Sequence, residues 1–183
     1  MIPSDDGTNL GEVADILYLD QPVGTGFSYG ANDTDLLSSM SDISREFVNF
    51  IDSFMGMYPE YKAPRDIILM GESTAGKYLP VLTKGLDDYI NNQGGKIFIK
   101  AVIIGNPFES DVQQRLLSFI TARTLDIIDD SNMGQVSALR QQCVEHFSNA
   151  TGNPMDAYET CSKILSYASE VGGNIATFDG RKS

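Results

Sequence analysis

A serine set among small residues, where an apolar β-branched run gives way to a helical pattern, is the strongest chemical signal in this chain. The run Ile67-Ile68-Leu69-Met70 leads into Gly71-Glu72-Ser73-Thr74-Ala75-Gly76, and a helical apolar series follows. A strand driven through a tight turn into a helix lifts the Ser73 hydroxyl above the sheet as a nucleophile, while small neighbours let strand and helix pack closely behind it. The hydroxyl is a weak nucleophile until a base takes its proton. The chain contains one histidine, His146, on an amphipathic helical pattern with nothing to orient it toward Ser73. Its plainer reading is a solvent-facing or helix-end histidine.

A second candidate lies earlier, in Asp20-Gln21-Pro22-Val23-Gly24-Thr25-Gly26-Phe27-Ser28-Tyr29-Gly30. Gly24 and Gly26 permit a backbone path and a close approach that larger residues would block, at the carboxyl end of an expected strand, where open α/β sheets bind ligands. They are therefore candidate substrate-binding positions. A phosphate cradle is the poorer alternative, because neither the Gly-x-Gly-x-x-Gly spacing nor a Lys-Ser/Thr pair follows.

Composition narrows the class. With 183 residues, 42% apolar, the chain has the size of one globular domain with a substantial core. A net charge of −12 without clustered Lys and Arg argues against a nucleic-acid partner. No stretch approaches the ~20 apolar residues of a membrane span. Residues 1–10 have neither the basic start nor the apolar centre of a signal peptide, so the expectation is an intracellular chain or a removed targeting segment.

Cys143 and Cys161 each sit in an apolar series at helical spacing: Met133, Val136, Leu139, Cys143, Phe147 and then Tyr158, Cys161, Ile164, Leu165, Ala168. The turn-forming residues 148–154 separate the two series. Antiparallel helices would bring the cysteines level, so a bridge is geometrically reasonable, with two buried free thiols as the alternative. Asn32-Asp33-Thr34 and Asn149-Ala150-Thr151 are glycosylation sequons in expected turns, which favours a secretory route, although such triplets also arise by chance.

The elements that must position these residues alternate. Residues 15–20, 66–70 and 97–104 read as short central parallel strands covered on both faces. A helix between the first two carries Leu36, Leu37, Met40, Ile43, Phe47, Phe50, Ile51 and Phe54 on one stripe, with Asp33 or Thr34 as its cap. The helix leaving Ser73 turns Leu79, Leu82, Leu86 and Ile90 toward the sheet and stops near Asn91-Asn92-Gln93-Gly94-Gly95. Strand–helix–strand alternation makes a parallel sheet with right-handed crossovers the economical α/β topology. From about residue 109 to 173 only helical patterns occur, including Leu116, Phe119 and Ile120, and this block reads as a cap inserted after the third strand. Residues 175–178 could begin another extended segment.

Asp20-Gln21-Pro22-Val23-Gly24-Thr25-Gly26-Phe27-Ser28-Tyr29, then Gly71-Glu72-Ser73-Thr74-Ala75-Gly76, then Gly105-Asn106 at the end of the next strand, resembles the serine carboxypeptidases of the α/β-hydrolase fold. Each motif alone is moderately specific; in this order and spacing they are highly specific, and the resemblance covers residues 14–106. It implies a partial α/β-hydrolase core at residues 1–108 and 174–183, with a mainly parallel central sheet, and a helical cap at residues 109–173. It also implies Ser73 as the nucleophile that attacks a peptide carbonyl near the substrate's carboxyl terminus, and the Thr74 N–H as one oxyanion donor. Glu72 would bind the terminal carboxylate. Two carboxylates repel, so that role requires a protonated Glu72 and activity favoured by acid.

The resemblance also sets what the rest of the molecule must supply. The family's glycine-rich segment, source of the second oxyanion donor, precedes the Asp20 loop, and its aspartate and histidine follow the helical insertion; neither has a counterpart in residues 1–183. Thr74 stands where tyrosine is usual, and Pro107 where glycine is common. The expected function is a serine carboxypeptidase acting on peptide or protein C-termini, without cofactor or metal, active only in the complete molecule. A chain completing the sheet and triad would be its partner. Its expected location is the secretory pathway, a lysosome or vacuole, or the exterior. The alternatives are a degenerate binding or structural subunit and, less favoured, an acyltransferase on the same scaffold.

Overall fold

The computed structural model describes residues 9–62, 64–148 and 154–176. In chain order the regular elements are helix α1 (Met40–Met57), strand β1 (Asp66–Glu72), helix α2 (Ala75–Gln93), strand β2 (Phe98–Gly105) and helices α3 (Asp111–Thr124), α4 (Met133–Ser148) and α5 (Pro154–Val171). β1 and β2 are parallel neighbours joined through α2, which is the α/β crossover expected of the alternating pattern. By internal contacts the chain falls into two compact units. The first comprises Met1–Met70 and Tyr78–Ile103; the second comprises Gly71–Lys77 and Ile104–Ser183.

In the first unit α1 buries Ile43, Phe47, Ile51 and Met55, a stripe at i, i+4, i+8 and i+12. The Ser44 hydroxyl donates to the Val81 carbonyl of α2 at 3.0 Å, and Gly85 leaves room for that hydroxyl, so two small residues set the approach of the helices. On α2, Leu79, Leu82 and Leu86 are buried and Ile90 is half-buried. Phe54 extends the packing to Tyr58 and Tyr61, at centroid distances of 5.0 and 5.8 Å.

Three local expectations are corrected. α1 starts at Met40, not beside Asp33 or Thr34: Ser39 caps it, accepting from the Asp42 N–H at 3.1 Å. Residues 33–35 instead form a separate 3-10 turn, in which the Asn32 N–H donates to the Asp35 carboxylate at 3.0 Å. Residues 15–20 belong to no strand; Leu17 and Tyr18 are 48% and 73% exposed, because an apolar run supplies a strand's composition but not a partner for its backbone. The paired strands are not covered on both faces either. Leu69 is buried, whereas Ile68, Met70, Phe98, Val102 and Ile103 are exposed.

The second unit is built on α3, α4 and α5. One cluster joins Ala122, Ile128, Val136 and Ala168; another joins Leu139, Cys143, Cys161 and Ile164; Phe119 and Tyr167 pack against both. A disulfide links Cys143 to Cys161, with Cα atoms 4.7 Å apart, so α4 and α5 meet level as their apolar registers suggested. Ile120 and Phe147, which share the apolar periodicity, are about half exposed. Asn149 and residues 177–183, with the expected sequon and half of the expected final extended segment, lie outside the described residues.

Candidate active site

β1 ends at Glu72, α2 begins at Ala75, and Ser73 occupies the turn between them with φ of 56°. A side chain in the left-handed region costs about 1–2 kcal/mol, so neighbouring bonds must hold it there. The Ser73 N–H donates to the Gly105 carbonyl at 3.0 Å, which extends the β1–β2 pairing by one residue. Its carbonyl accepts from Gly76 N–H at 2.9 Å and from Phe108 N–H at 2.8 Å. The Ser73 side chain is exposed, and its hydroxyl makes no hydrogen bond among the described residues.

Thr74 follows at the head of α2. Its carbonyl accepts from Lys77 N–H at 2.9 Å, while its own N–H finds no acceptor among the described residues. An unengaged N–H directly after a left-handed serine has the chemistry an oxyanion donor requires. Glu72 is exposed at the end of β1. Gly76 is buried against the loop that follows β2: a Cβ there would stand 2.8 Å from Pro107 Cβ and 3.0 Å from Phe108 N. The glycine in the motif is thus a packing requirement of this turn.

His146 is exposed in the last turn of α4 and makes no hydrogen bond with Ser73. Among the described residues no cluster of His, Cys, Asp or Glu could hold a metal ion. Sequence reasoning missed Phe108 and Gln114, which hold the loop beneath the serine. The Gln114 Oε1 accepts from Glu109 and Ser110 N–H at 2.9 and 3.1 Å, and its Nε2 donates to the Pro107 carbonyl at 2.8 Å. The available signal was Ser110 three residues before Gln113, a helix-start pattern that marks the beginning of α3; the Ser110 hydroxyl accepts from Gln113 N–H at 3.3 Å.

Gly24 and Gly26 lie in the other unit. Both have positive φ, 98° and 53°. The Asp20 carboxylate accepts from Phe27 N–H at 2.8 Å, and the Ser28 hydroxyl donates to the Asp20 carbonyl at 2.5 Å. The loop is closed by Gly24 N–H to the Ser28 carbonyl at 2.9 Å. A Cβ on Gly26 would collide with the Asp20 carboxylate, and one on Gly24 would stand 2.7 Å from Leu36 Cδ2, so each position requires glycine for a different neighbour. Phe27 and Tyr29, at 95% and 88% exposure, are turned outward by this closure. Gln21 Oε1 is buried without a hydrogen-bond partner among the described residues.

Comparison with known proteins agrees with this arrangement. A profile of the family described as serine carboxypeptidase matches residues 11–181. The chain is 32% identical over 167 residues to the pheromone-processing carboxypeptidase KEX1 of Uncinocarpus reesii, covering 87% of this chain and 26% of that protein. It is 30% identical over 179 residues to serine carboxypeptidase-like 48 of Arabidopsis thaliana, covering 93% and 35%. Among solved structures it resembles KEX1(delta)p, a prohormone-processing carboxypeptidase from Saccharomyces cerevisiae, with a TM-score of 0.68 and 26% identity over 84% of this chain and 34% of that one. It therefore spans about a quarter to a third of the length of these relatives. With the motifs in order and the parallel strand–elbow–helix unit in place, the chain belongs to the serine carboxypeptidase family, on the α/β-hydrolase fold.

Proposed function

We propose that this chain is the nucleophile-bearing part of a serine-type carboxypeptidase that hydrolyses the C-terminal peptide bond through an acyl-Ser73 intermediate, with activity belonging to the complete molecule. The observation that carries this reading is the left-handed Ser73, its hydroxyl exposed and the following Thr74 N–H unengaged. In the proposed reaction Ser73 Oγ bonds to the scissile carbonyl carbon as its proton passes to a base. Collapse of the adduct breaks the C–N bond, the leaving amine takes that proton, and water then hydrolyses the acyl-serine. Thr74 N–H stabilises the developing oxyanion, Glu72 receives the terminal carboxylate, and Gly24 and Gly26 give the substrate close access to backbone. Residues 1–108 and 174–183 contribute to the catalytic core, with residues 109–173 as its helical insertion.

His146 makes no hydrogen bond with Ser73 among the described residues, so the base is proposed to come from the complete molecule. A further chain or segment that completes the sheet, and with it the proposed triad, is supported on the sheet side by exposed Ile68, Met70, Phe98, Val102 and Ile103, apolar side chains on the two paired strands that water disfavours. The disulfide suits an oxidising compartment, and Asn32 is exposed in its turn, so the secretory route, a lysosome or vacuole, or the exterior is the proposed location, with glycans at Asn32 and Asn149. No helix among the described residues is long and apolar enough to cross a membrane. The unbonded serine also favours a second reading, a non-catalytic binding or structural subunit; an acyltransferase shares the acyl-serine step. A fluorophosphonate probe separates them. Labelling at Ser73 that disappears in Ser73→Ala supports a working nucleophile, and hydrolysis of blocked dipeptides between about pH 4 and 7 supports the carboxypeptidase over acyl transfer. Absence of both in the completed enzyme would favour the non-catalytic subunit.

A further inference from the structure

We propose that Gln114, supported by Arg115, is a positioning residue for Ser73: the first turns of α3 hold the nucleophile's backbone through Phe108. The connection is continuous within one unit. Ser73 accepts from Phe108 N–H at 2.8 Å, so the path of residues 107–110 fixes where the serine carbonyl points. Those residues are a loop whose N–H and C=O groups have no ladder of their own. Gln114 satisfies three of them at once, taking Glu109 and Ser110 N–H on Oε1 and giving Nε2–H to the Pro107 carbonyl. A primary amide suits the task because it presents an acceptor and donors on one planar group.

Arg115 holds the side chain of the same loop. Its guanidinium carbon lies 5.1 Å from the Phe108 ring centroid and 4.1 Å from that of Tyr158 on α5, one turn before Cys161. Its Nε is buried with no hydrogen-bond partner among the described residues, so at that nitrogen no hydrogen bond competes with contact to the two rings. Lys77 Nζ also approaches the Phe108 ring, at 4.8 Å. Phe108 is thereby placed by α3 on one side and by the first turn of α2 on the other. Pro107, pressed against Gly76, leaves this loop little room to shift without moving the turn that carries Ser73.

The proposal rests on Ser73 as nucleophile, and its test separates the two ideas. Residue-resolved amide exchange on the full chain reads the coupling without requiring a reactive serine. Gln114→Ala is expected to raise Phe108 exchange about tenfold, with α4 and α5 amides near Leu139 and Ile164 unchanged. Gln114→Glu retains both acceptor bonds and loses the donor to Pro107, so a smaller rise is expected. Arg115→Lys keeps the charge but not the planar stack, and a rise of about threefold is expected. Unchanged Phe108 exchange in Gln114→Ala, or an equal rise throughout α4 and α5, overturns the proposal. Where the wild-type protein is labelled at Ser73, Gln114→Ala should slow labelling and Gln114→Glu should restore part of the rate; equal rates in all three also overturn it. A Phe108 response in a completed enzyme whose Ser73 is never labelled upholds the positioning and sinks the nucleophile reading.

Discussion

Replacing Gly76 by alanine sets two opposed effects against each other at one site. Alanine is favoured over glycine in a helix interior by about 1 kcal/mol, a gain that shrinks in the first turn, where Gly76 stands. Against it, the added methyl would meet Pro107 Cβ at 2.8 Å, Phe108 N at 3.0 Å and Glu109 Cγ at 3.1 Å. The Glu109 carbon can swing away, but a proline ring and a backbone nitrogen cannot. Over-packing of this kind costs about 1–3 kcal/mol, so the clash should win by about 1–2 kcal/mol. Gly134, in the first turn of α4, has nothing within 4 Å of its would-be Cβ and supplies the control: Gly134→Ala should be neutral or stabilising by up to about 1 kcal/mol. Urea unfolding followed by circular dichroism compares the two. For a slope of about 2 kcal/mol/M, the Gly76→Ala midpoint should fall by roughly 0.5–1 M. A Gly76→Ala protein as stable as wild type, or a Gly134→Ala protein equally weakened, would refute the steric account of this turn.

Reducing the Cys143–Cys161 bond, or replacing both residues by serine, should cost about 3 kcal/mol and lower the melting temperature, because a closed loop of 18-residue separation restricts the unfolded chain; an unchanged melt under reductant would contradict this. Acid should loosen two helix starts. The Ser39 hydroxyl donates to the Asp42 carboxylate at 2.6 Å and Arg45 pairs with it at 2.7 Å, which together hold Asp42 below its ordinary value of 3.8. The Ser131 hydroxyl and N–H, at 2.5 and 2.8 Å, do the same for Asp129. With both depressed in the folded state, their stabilisation is complete above the ordinary carboxylate range and is lost as pH falls through it toward the lower folded values. Amide exchange at Asp42 and Ser131 should therefore accelerate below about pH 4 beyond the change in neighbouring helix amides.

Elements written by short-range physics were legible. The Ser73 elbow, α2 with Leu79, Leu82 and Leu86 inward, and the pairing of Cys143 with Cys161 all follow from periodicities of one or two turns and from residue size. What failed depended on choices between neighbouring options or on distant partners. Asp33 and Thr34 are good caps in isolation, but Asn32 and Asp35 close a turn of their own, leaving Ser39 to start α1. Residues 15–20 form a short apolar run like a central strand, yet pairing is decided by another segment's edge. Gln114 was invisible for a related reason: an exposed glutamine has no pattern of its own, and its role exists only because Pro107, Glu109 and Ser110 present three backbone groups to it.

The placement of Ser73 is consequently more self-contained than its chemistry. A left-handed serine costs about 1–2 kcal/mol, and three backbone bonds to Gly105, Gly76 and Phe108, at about 1 kcal/mol each, are enough to offset it. Phe108 is in turn held by Gln114 and Arg115, so every group in the chain of support from nucleophile to α3 lies between Ser73 and Arg115. No base takes part in that support. The conformer that presents the hydroxyl can therefore form before any histidine approaches it, and loss of a base would abolish acylation without disturbing the turn. For this reason the elbow identifies the family by its folding requirements, while catalysis must be tested at the serine itself.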